Sequence, residues 1–285
     1  MKYSRILVTG GAGFIGSSLL QHLSDKYSSA KLYSLDNYST GTPENHIAGV
    51  TYIGDKTENI RDYKWIKPEV VFHFGEYSRV HTSFEEEGKA FDYNVVGTKC
   101  VVDYCLDLNS RLIYSASSTK FGDGGGNINE SPYAYYKSNN VSCIKNFGKW
   151  FDLNYSIVYF YNVYGPGQIE SGKYSTVIGI FEKLKRELKP LTVCAPGTQQ
   201  RDFTHIEDIV AGLSVIMDRG TQEEYSLGTG KSYSILEIAK LFSNEITEIP
   251  SRSGERYISK INLDSMVKLG WKAKIDIKDY IKGIT

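Results

Sequence analysis

The chain carries no excess of either charge: 33 lysines and arginines stand against 33 aspartates and glutamates. Such a balance offers nothing to nucleic acid or to an anionic membrane surface, and it lowers the repulsion between copies of the protein. No apolar run approaches the roughly 20 residues of a membrane span. Met1–Arg5 leads straight into a strand pattern, with no signal peptide. Cysteine is scarce, and Cys100, Cys105, Cys143 and Cys194 show neither C-x-x-C nor Cys/His metal spacing. No metal is therefore expected, and the thiols read as packed side chains of a protein in a reducing cytosol. Internal repeats and low-complexity linkers are also missing. What remains is an ordinary globular composition over 285 residues, enough for one large domain or two.

Thr9-Gly-Gly-Ala-Gly-Phe-Ile-Gly16 organises the rest. It follows the apolar run Ile6-Leu7-Val8, a strand, and leads into a helical pattern with Ile15, Leu19, Leu20 and Leu23 on one face. Gly11, Gly13 and Gly16 match G-x-G-x-x-G, and Gly10, Gly13 and Gly16 match its relaxed form. Strand, glycine turn and helix form the dinucleotide-binding fingerprint, in which the helix N-terminus presents free N–H groups to a pyrophosphate. Lys31–Asp36 is a second strand ending in an acid about 20 residues beyond the last glycine. A carboxylate there can bind both ribose hydroxyls and would repel a 2′-phosphate, so the cofactor reads as NAD.

Strand and helix then alternate. Val50–Asp55 is a third strand, Ile60–Trp65 a short helix and Val70–Phe74 a strand covered on both faces. Lys89–Leu108 reads as one long helix, Arg111–Ser115 as a strand, Tyr133–Phe151 as a helix and Tyr155–Phe160 as the sixth strand. The expected fold is α/β, a Rossmann-type doubly wound parallel sheet with a smaller C-terminal lobe. Residues 1–165, with a return segment near 201–227, would form the NAD-binding domain. Residues 166–200 and 228–285 would form the lobe that holds the substrate. In that half Ser175–Leu188 is an expected helix, Leu191–Cys194 and Arg201–His205 are strands, and Glu207–Met217 is a helix. Ser234-Ile-Leu-Glu237 has capping-box spacing and opens a helix to about Asn244.

Tyr133-Ala-Tyr-Tyr-Lys137 places a tyrosine and a lysine one helical turn apart. A free phenol ionises near pH 10, and a neighbouring ammonium favours the phenolate, which makes a general base. Ser117, at the end of the fifth strand, can hydrogen-bond the same substrate hydroxyl, with Ser115 and Ser118 as its rivals. His73 and His205 read as structural, and Glu76 and Lys120 as solvated charges. Trp65, Trp150 and Trp271 read as core or interface packing.

With these motifs the chain resembles, over almost its whole length, the extended short-chain dehydrogenases/reductases that act on nucleotide sugars. The resemblance implies cofactor contacts from Gly10, Gly13, Phe14, Ile15, Gly16, Asp36, Asn37, Asp55, Phe74, Asn94, Tyr133 and Lys137. It implies catalysis by Tyr133, Lys137 and Ser117, and substrate contacts from Ser117, Asn162, Arg201 and Arg252. A homodimer through helices 89–108 and 133–151 and a nucleotide-diphosphate sugar, a UDP-sugar first, are implied as well. Relatives that dehydrate their sugar carry an Asp-Glu pair where this chain has Ser118-Thr119, so dehydration is not expected. Tyr159 stands where many relatives have arginine. The expected activity is a nucleotide-sugar epimerase working at C4 through a 4-keto intermediate. A 4-keto reductase, a 2-epimerase, a uronate decarboxylase and a silent NAD-binding protein are the alternatives.

Overall fold

A computed structural model describes residues 3–118, 130–251 and 261–284. Apolar runs, buried in all but the edge strand β3, build a parallel sheet from β1 (Arg5–Thr9), β2 (Lys31–Asp36), β3 (Val50–Gly54), β4 (Val70–His73), β5 (Arg111–Ser117) and β6 (Tyr155–Phe160). Beyond them come β7 (Val163–Tyr164), β8 (Leu191–Cys194), β9 (Gln200–Asp202), β10 (Thr204–His205), β11 (Glu224–Leu227), β12 (Ser232–Ser234) and β13 (Ile246–Ile249). The main sheet has the order β11-β6-β5-β4-β1-β2-β3, and all its pairings are parallel. This is the doubly wound, Rossmann-type arrangement, whose ligand crevice lies at the carboxyl ends of the strands where the order reverses.

The sequence reading stops at six strands, and β11 makes a seventh. It has only four residues and no long apolar run to announce it. The hydroxyl of Tyr159 on β6 donates to Glu224 of β11, and Lys145 also pairs with that carboxylate. Tyr159 therefore latches the edge of the sheet.

The helices are α1 (Phe14–Lys26), α2 (Glu87–Phe91), α3 (Thr98–Leu108), α4 (Pro132–Phe151), α5 (Val177–Arg186), α6 (Ile206–Arg219), α7 (Ile235–Phe242), α8 (Asp264–Lys268) and α9 (Ile277–Ile284). One apolar core joins the sheet to α1 and α6, and a second joins its other face to α3 and α4. A third core, with Phe181, Val193, Phe203, Ile238 and Ile281, lies outside the sheet among α5, α7 and α9. Among the described residues no helix is long and apolar enough to cross a membrane.

Four expected elements differ. The helix 89–108 is instead α2, a π-helical turn Asp92–Gly97 and α3. A Cβ on Gly97 would lie 2.6 Å from Thr57 Oγ1, so this turn packs against the 3₁₀ segment Thr57–Ile66, which replaces the short helix 60–65. The expected strand 201–205 divides at Phe203: β9 pairs antiparallel with β12, and β10 pairs parallel with β7. The helix expected from Ser175 begins at Val177, because the Thr176 hydroxyl accepts the Gly179 N–H at 3.1 Å. The capping box forms as read: Ser234 Oγ accepts from Glu237 N, and Ser234 N donates to the Glu237 carboxylate. Its helix ends at Phe242, where Ser243 turns extended.

Candidate active site

A cavity of about 570 Å³ opens at the carboxyl ends of β1, β4 and β5 and reaches the walls of the third core. That is the size of a small-molecule site. Gly10, Gly13, Phe14, Ile15, Gly16, Asp36, Asn37, Asp55 and Phe74 line one part of it. Ser117, Tyr133, Lys137, Asn162 and Arg201 line the rest, so the fold gathers residues spread over two hundred positions. Arg252 and Lys120 lie outside the described residues. Asn94 is brought elsewhere. It is fully buried, and its side-chain amide closes a double hydrogen bond on the backbone of Tyr77, accepting at 2.7 Å and donating at 3.1 Å. The π turn packs it under the chain leaving β4, so it supports the wall and does not line the cavity.

The turn after β1 fits a dinucleotide. Gly10 has φ +73°, and a Cβ there would meet Gly75 N at 2.8 Å. A Cβ on Gly16 would lie 2.1 Å from Gly10 O, so only glycine lets α1 pack this close to the turn. Gly13 caps α1 with no side-chain hydrogen bond, which leaves the first N–H groups of the helix to the cavity. Asp36 accepts Ala12 N–H at 2.9 Å and Tyr38 N–H at 2.8 Å, which orients its carboxylate at the cavity wall. Asp55 is oriented in the same way, by Tyr63 at 2.8 Å and Asn59 at 2.9 Å. The hydrogen bond from Tyr63 is the main cause that holds this carboxyl below its usual range.

Tyr133 and Lys137 are set by the start of α4. Ser131 Oγ accepts Ala134 N–H at 3.1 Å, and Pro132 occupies the first helical position. The tyrosine and lysine thus share one buried face of the first turns. Lys137 Nζ donates to the carbonyl of Ser115 and to the carboxylate of Glu76. Glu76 is not a solvated charge. Its side chain is 1% exposed and that of Lys137 is 6% exposed. Glu76 also accepts from Thr98 and Tyr114 at 3.0 Å, and from Ser115 at 3.3 Å. Asn140 completes the set at 3.4 Å. A lone acid after a strand gives no sign of such burial, so only the structure shows it. Ser115 is committed to His73 O at 2.8 Å and to Glu76, whereas Ser117 and Ser118 both line the cavity.

The two histidines are structural. His73 lies between Thr9 at 2.7 Å and Thr98 at 3.0 Å, and burial pushes its imidazole down to about 4. His205 caps α6 by accepting Glu207 N–H, and burial lowers it too. Asn162, at φ +24°, donates its side-chain amide to Asp202 O at 3.0 Å beside Arg201. Asp202 in turn accepts Gly230 N–H at 2.6 Å and Thr229 N–H at 2.9 Å, fixing the turn next to this wall.

The model of the NAD dependent epimerase/dehydratase family matches residues 6–228. The chain belongs to this family. Its cofactor is NAD, which the turn after β1 and Asp36 are built to hold. A protein of Methanocaldococcus jannaschii with a provisional UDP-glucose 4-epimerase name is 28% identical, over 98% of this chain and 96% of its own length. The ADP-L-glycero-D-manno-heptose-6-epimerase of Brachyspira hyodysenteriae is 31% identical, over 82% of this chain and 79% of its own. Among solved structures, a Thermotoga maritima UDP-glucose 4-epimerase with UDP-glucose superposes with a TM-score of 0.91 at 25% identity, covering 98% and 96% of the two chains. This epimerase/dehydratase family member thus has relatives named for more than one reaction.

Proposed function

We propose that this protein is an NAD-dependent nucleotide-sugar epimerase that inverts a hexose hydroxyl, at C4, through a 4-keto intermediate. The observation that carries the reading is the meeting of Tyr133, Lys137 and Ser117 with the glycine turn and Arg201 in one cavity. Tyr133 takes the proton of the 4-hydroxyl, directly or through Ser117, and returns it when the opposite configuration forms. Lys137 stands one turn away, held by Glu76 and the Ser115 carbonyl, and one of its three N–H donors is left for the cofactor. The glycine turn, Asp36 and Lys137 would hold NAD, which would supply reversible hydride acceptance at C4, so no cofactor would be consumed over the cycle. Asn162, Arg201 and Arg252 receive the nucleoside diphosphate, UDP first, whose binding energy secures the sugar. Ser118 and Thr119 in place of an acid pair speak against loss of water.

In this reading residues 1–165, with the return near 201–227, bind NAD, and 166–200 with 228–285 bind the nucleotide sugar. The protein works in the cytoplasm as a homodimer through the segment 89–108, which spans α2, the π turn and α3, and through 133–151 of α4. The exposed rings of Tyr135, Trp150, Phe151 and Phe91 on α4 and α2 support that pairing. The test is an NMR time course on the purified protein with a panel of nucleotide sugars and no added cofactor. A gluco/galacto pair drifting to equilibrium is expected. If nothing moves until NAD(P)H and a 4-keto sugar are supplied, a reductase takes the epimerase's place.

A further inference from the structure

Arg79 stands on the chain between β4 and α2, at the wall of the cavity near Tyr133. Its guanidinium is held by two carbonyls: Nη1 donates to Ser78 O at 3.1 Å, and Nη2 donates to Tyr174 O. Nε is buried and has no hydrogen-bond partner. Among the described residues no carboxylate pairs with it, and two acids of the same segment, Glu76 and Glu86, are engaged elsewhere. Glu76 is held by Lys137, and Glu86 accepts from the hydroxyls of Tyr77 at 2.8 Å and Tyr174 at 3.0 Å. Two carbonyl dipoles do not neutralise a cation, and this half-buried guanidinium has no counter-ion among the described residues. Burial accordingly holds the guanidinium below the usual arginine range.

We propose that Arg79 is the anion site of the sugar pocket, and that the substrate is a nucleotide sugar bearing a carboxylate on its hexose. This rests on the reading of the cavity as a nucleotide-sugar site. Two of the five arginine N–H donors serve the carbonyls and Nε–H is closed off from the cavity, so the two remaining Nη donors are the ones that can take a carboxylate. Two features place that anion on the sugar and not in the diphosphate. Arg79 neighbours Tyr133, where the sugar hydroxyl reacts, whereas Asn162 and Arg201 lie on a different segment of the wall beside Asp202. A neutral hexose would leave the guanidinium without a counter-ion, and an acid sugar would pair it.

The test is calorimetric titration of the NAD-loaded full chain with UDP, UDP-glucose, UDP-glucuronic acid and UDP-N-acetylmuramic acid. The two acids carry the carboxylate at different places on the ring. Wild type is expected to bind one of them at least about tenfold tighter than UDP-glucose, the worth of a hydrogen bond to a charged group. Arg79→Met should abolish that ratio, and Arg79→Lys should keep part of it. No preference for either acid in wild type overturns the proposal. So does an Arg79→Met variant that weakens UDP as much as the acid, which would put the diphosphate on Arg79. If the methionine variant does not fold, an unchanged ratio in the lysine variant overturns it equally. Binding of none of the four ligands refutes the nucleotide-sugar reading itself, and the acid-sugar proposal with it.

Discussion

Replacing Glu76 by leucine should destabilise the protein severely, although the position has no motif to mark it. The carboxylate is 1% exposed and is the counter-ion of Lys137, itself 6% exposed. Without it the ammonium keeps the Ser115 carbonyl and the face of the Tyr114 ring but no counter-ion, and breaking a buried pair from one side costs about 3–5 kcal/mol. Lys137→Met should cost less, about 2–3 kcal/mol, because Glu76 keeps its donors Thr98, Tyr114, Ser115 and Asn140. In Glu76→Leu/Lys137→Met no charge is left uncompensated. The double variant should therefore recover at least about 1–2 kcal/mol relative to the sum of the singles. Glu76→Gln, which keeps the shape and part of the hydrogen bonding, should fall between wild type and leucine. Urea unfolding midpoints of the four proteins, read by tryptophan fluorescence at one pH, give the cycle. A Glu76→Leu loss below about 1 kcal/mol, or strict additivity in the double variant, would refute the account of this pair.

Tyr133→Phe should lower turnover by about 10²- to 10⁴-fold, the share of a general base, with NAD still bound; unchanged turnover would remove Tyr133 from the chemistry. Gly16→Ala puts a Cβ 2.1 Å from Gly10 O and should cost about 1–3 kcal/mol of stability while loosening NAD, measured by melting and by NAD titration. His73 predicts an acid-sensitive core. Its imidazole, held at about 4 in the fold against 6.5 unfolded, favours folding in its neutral form. That contribution is complete above pH 6.5 and is lost as the pH falls towards 4, by about 3 kcal/mol at 1.36 kcal/mol per unit. His73→Gln should flatten the difference in stability between pH 7 and pH 4; an equally steep variant would place the loss elsewhere.

The sheet strands were legible because β1, β4, β5 and β6 are buried on both faces and read as continuous apolar runs between breakers. The glycine turn and the Tyr133–Lys137 spacing were legible because their geometry demands particular residues at fixed intervals. Glu76 and Arg79 were not. Their meaning lies in burial and in partners that come from α3, α4, β5 and the stretch at Tyr174, up to 95 positions away. Asn94 was assigned to the cofactor on its motif, but the π turn directs its amide to Tyr77. The exposures of Trp65 at 59%, Trp150 at 60% and Trp271 at 6% likewise depend on which side of each segment faces water, which composition does not record.

The parallel pairing of β11 with β6 has a consequence for synthesis on the ribosome. Phe160 meets Leu227 in register, so the outer strand of the sheet emerges 67 residues after its neighbour. At 5–20 residues per second β6 waits roughly 3–13 s with its edge unpaired. Its sequence, Tyr155-Ser-Ile-Val-Tyr-Phe160, is rich in β-branched and aromatic residues, the kind that joins another chain's edge when left open. The latch of Tyr159 and Lys145 on Glu224 closes that window the moment β11 arrives. Nascent chains stalled between these two strands should be the ones that chaperones have to hold.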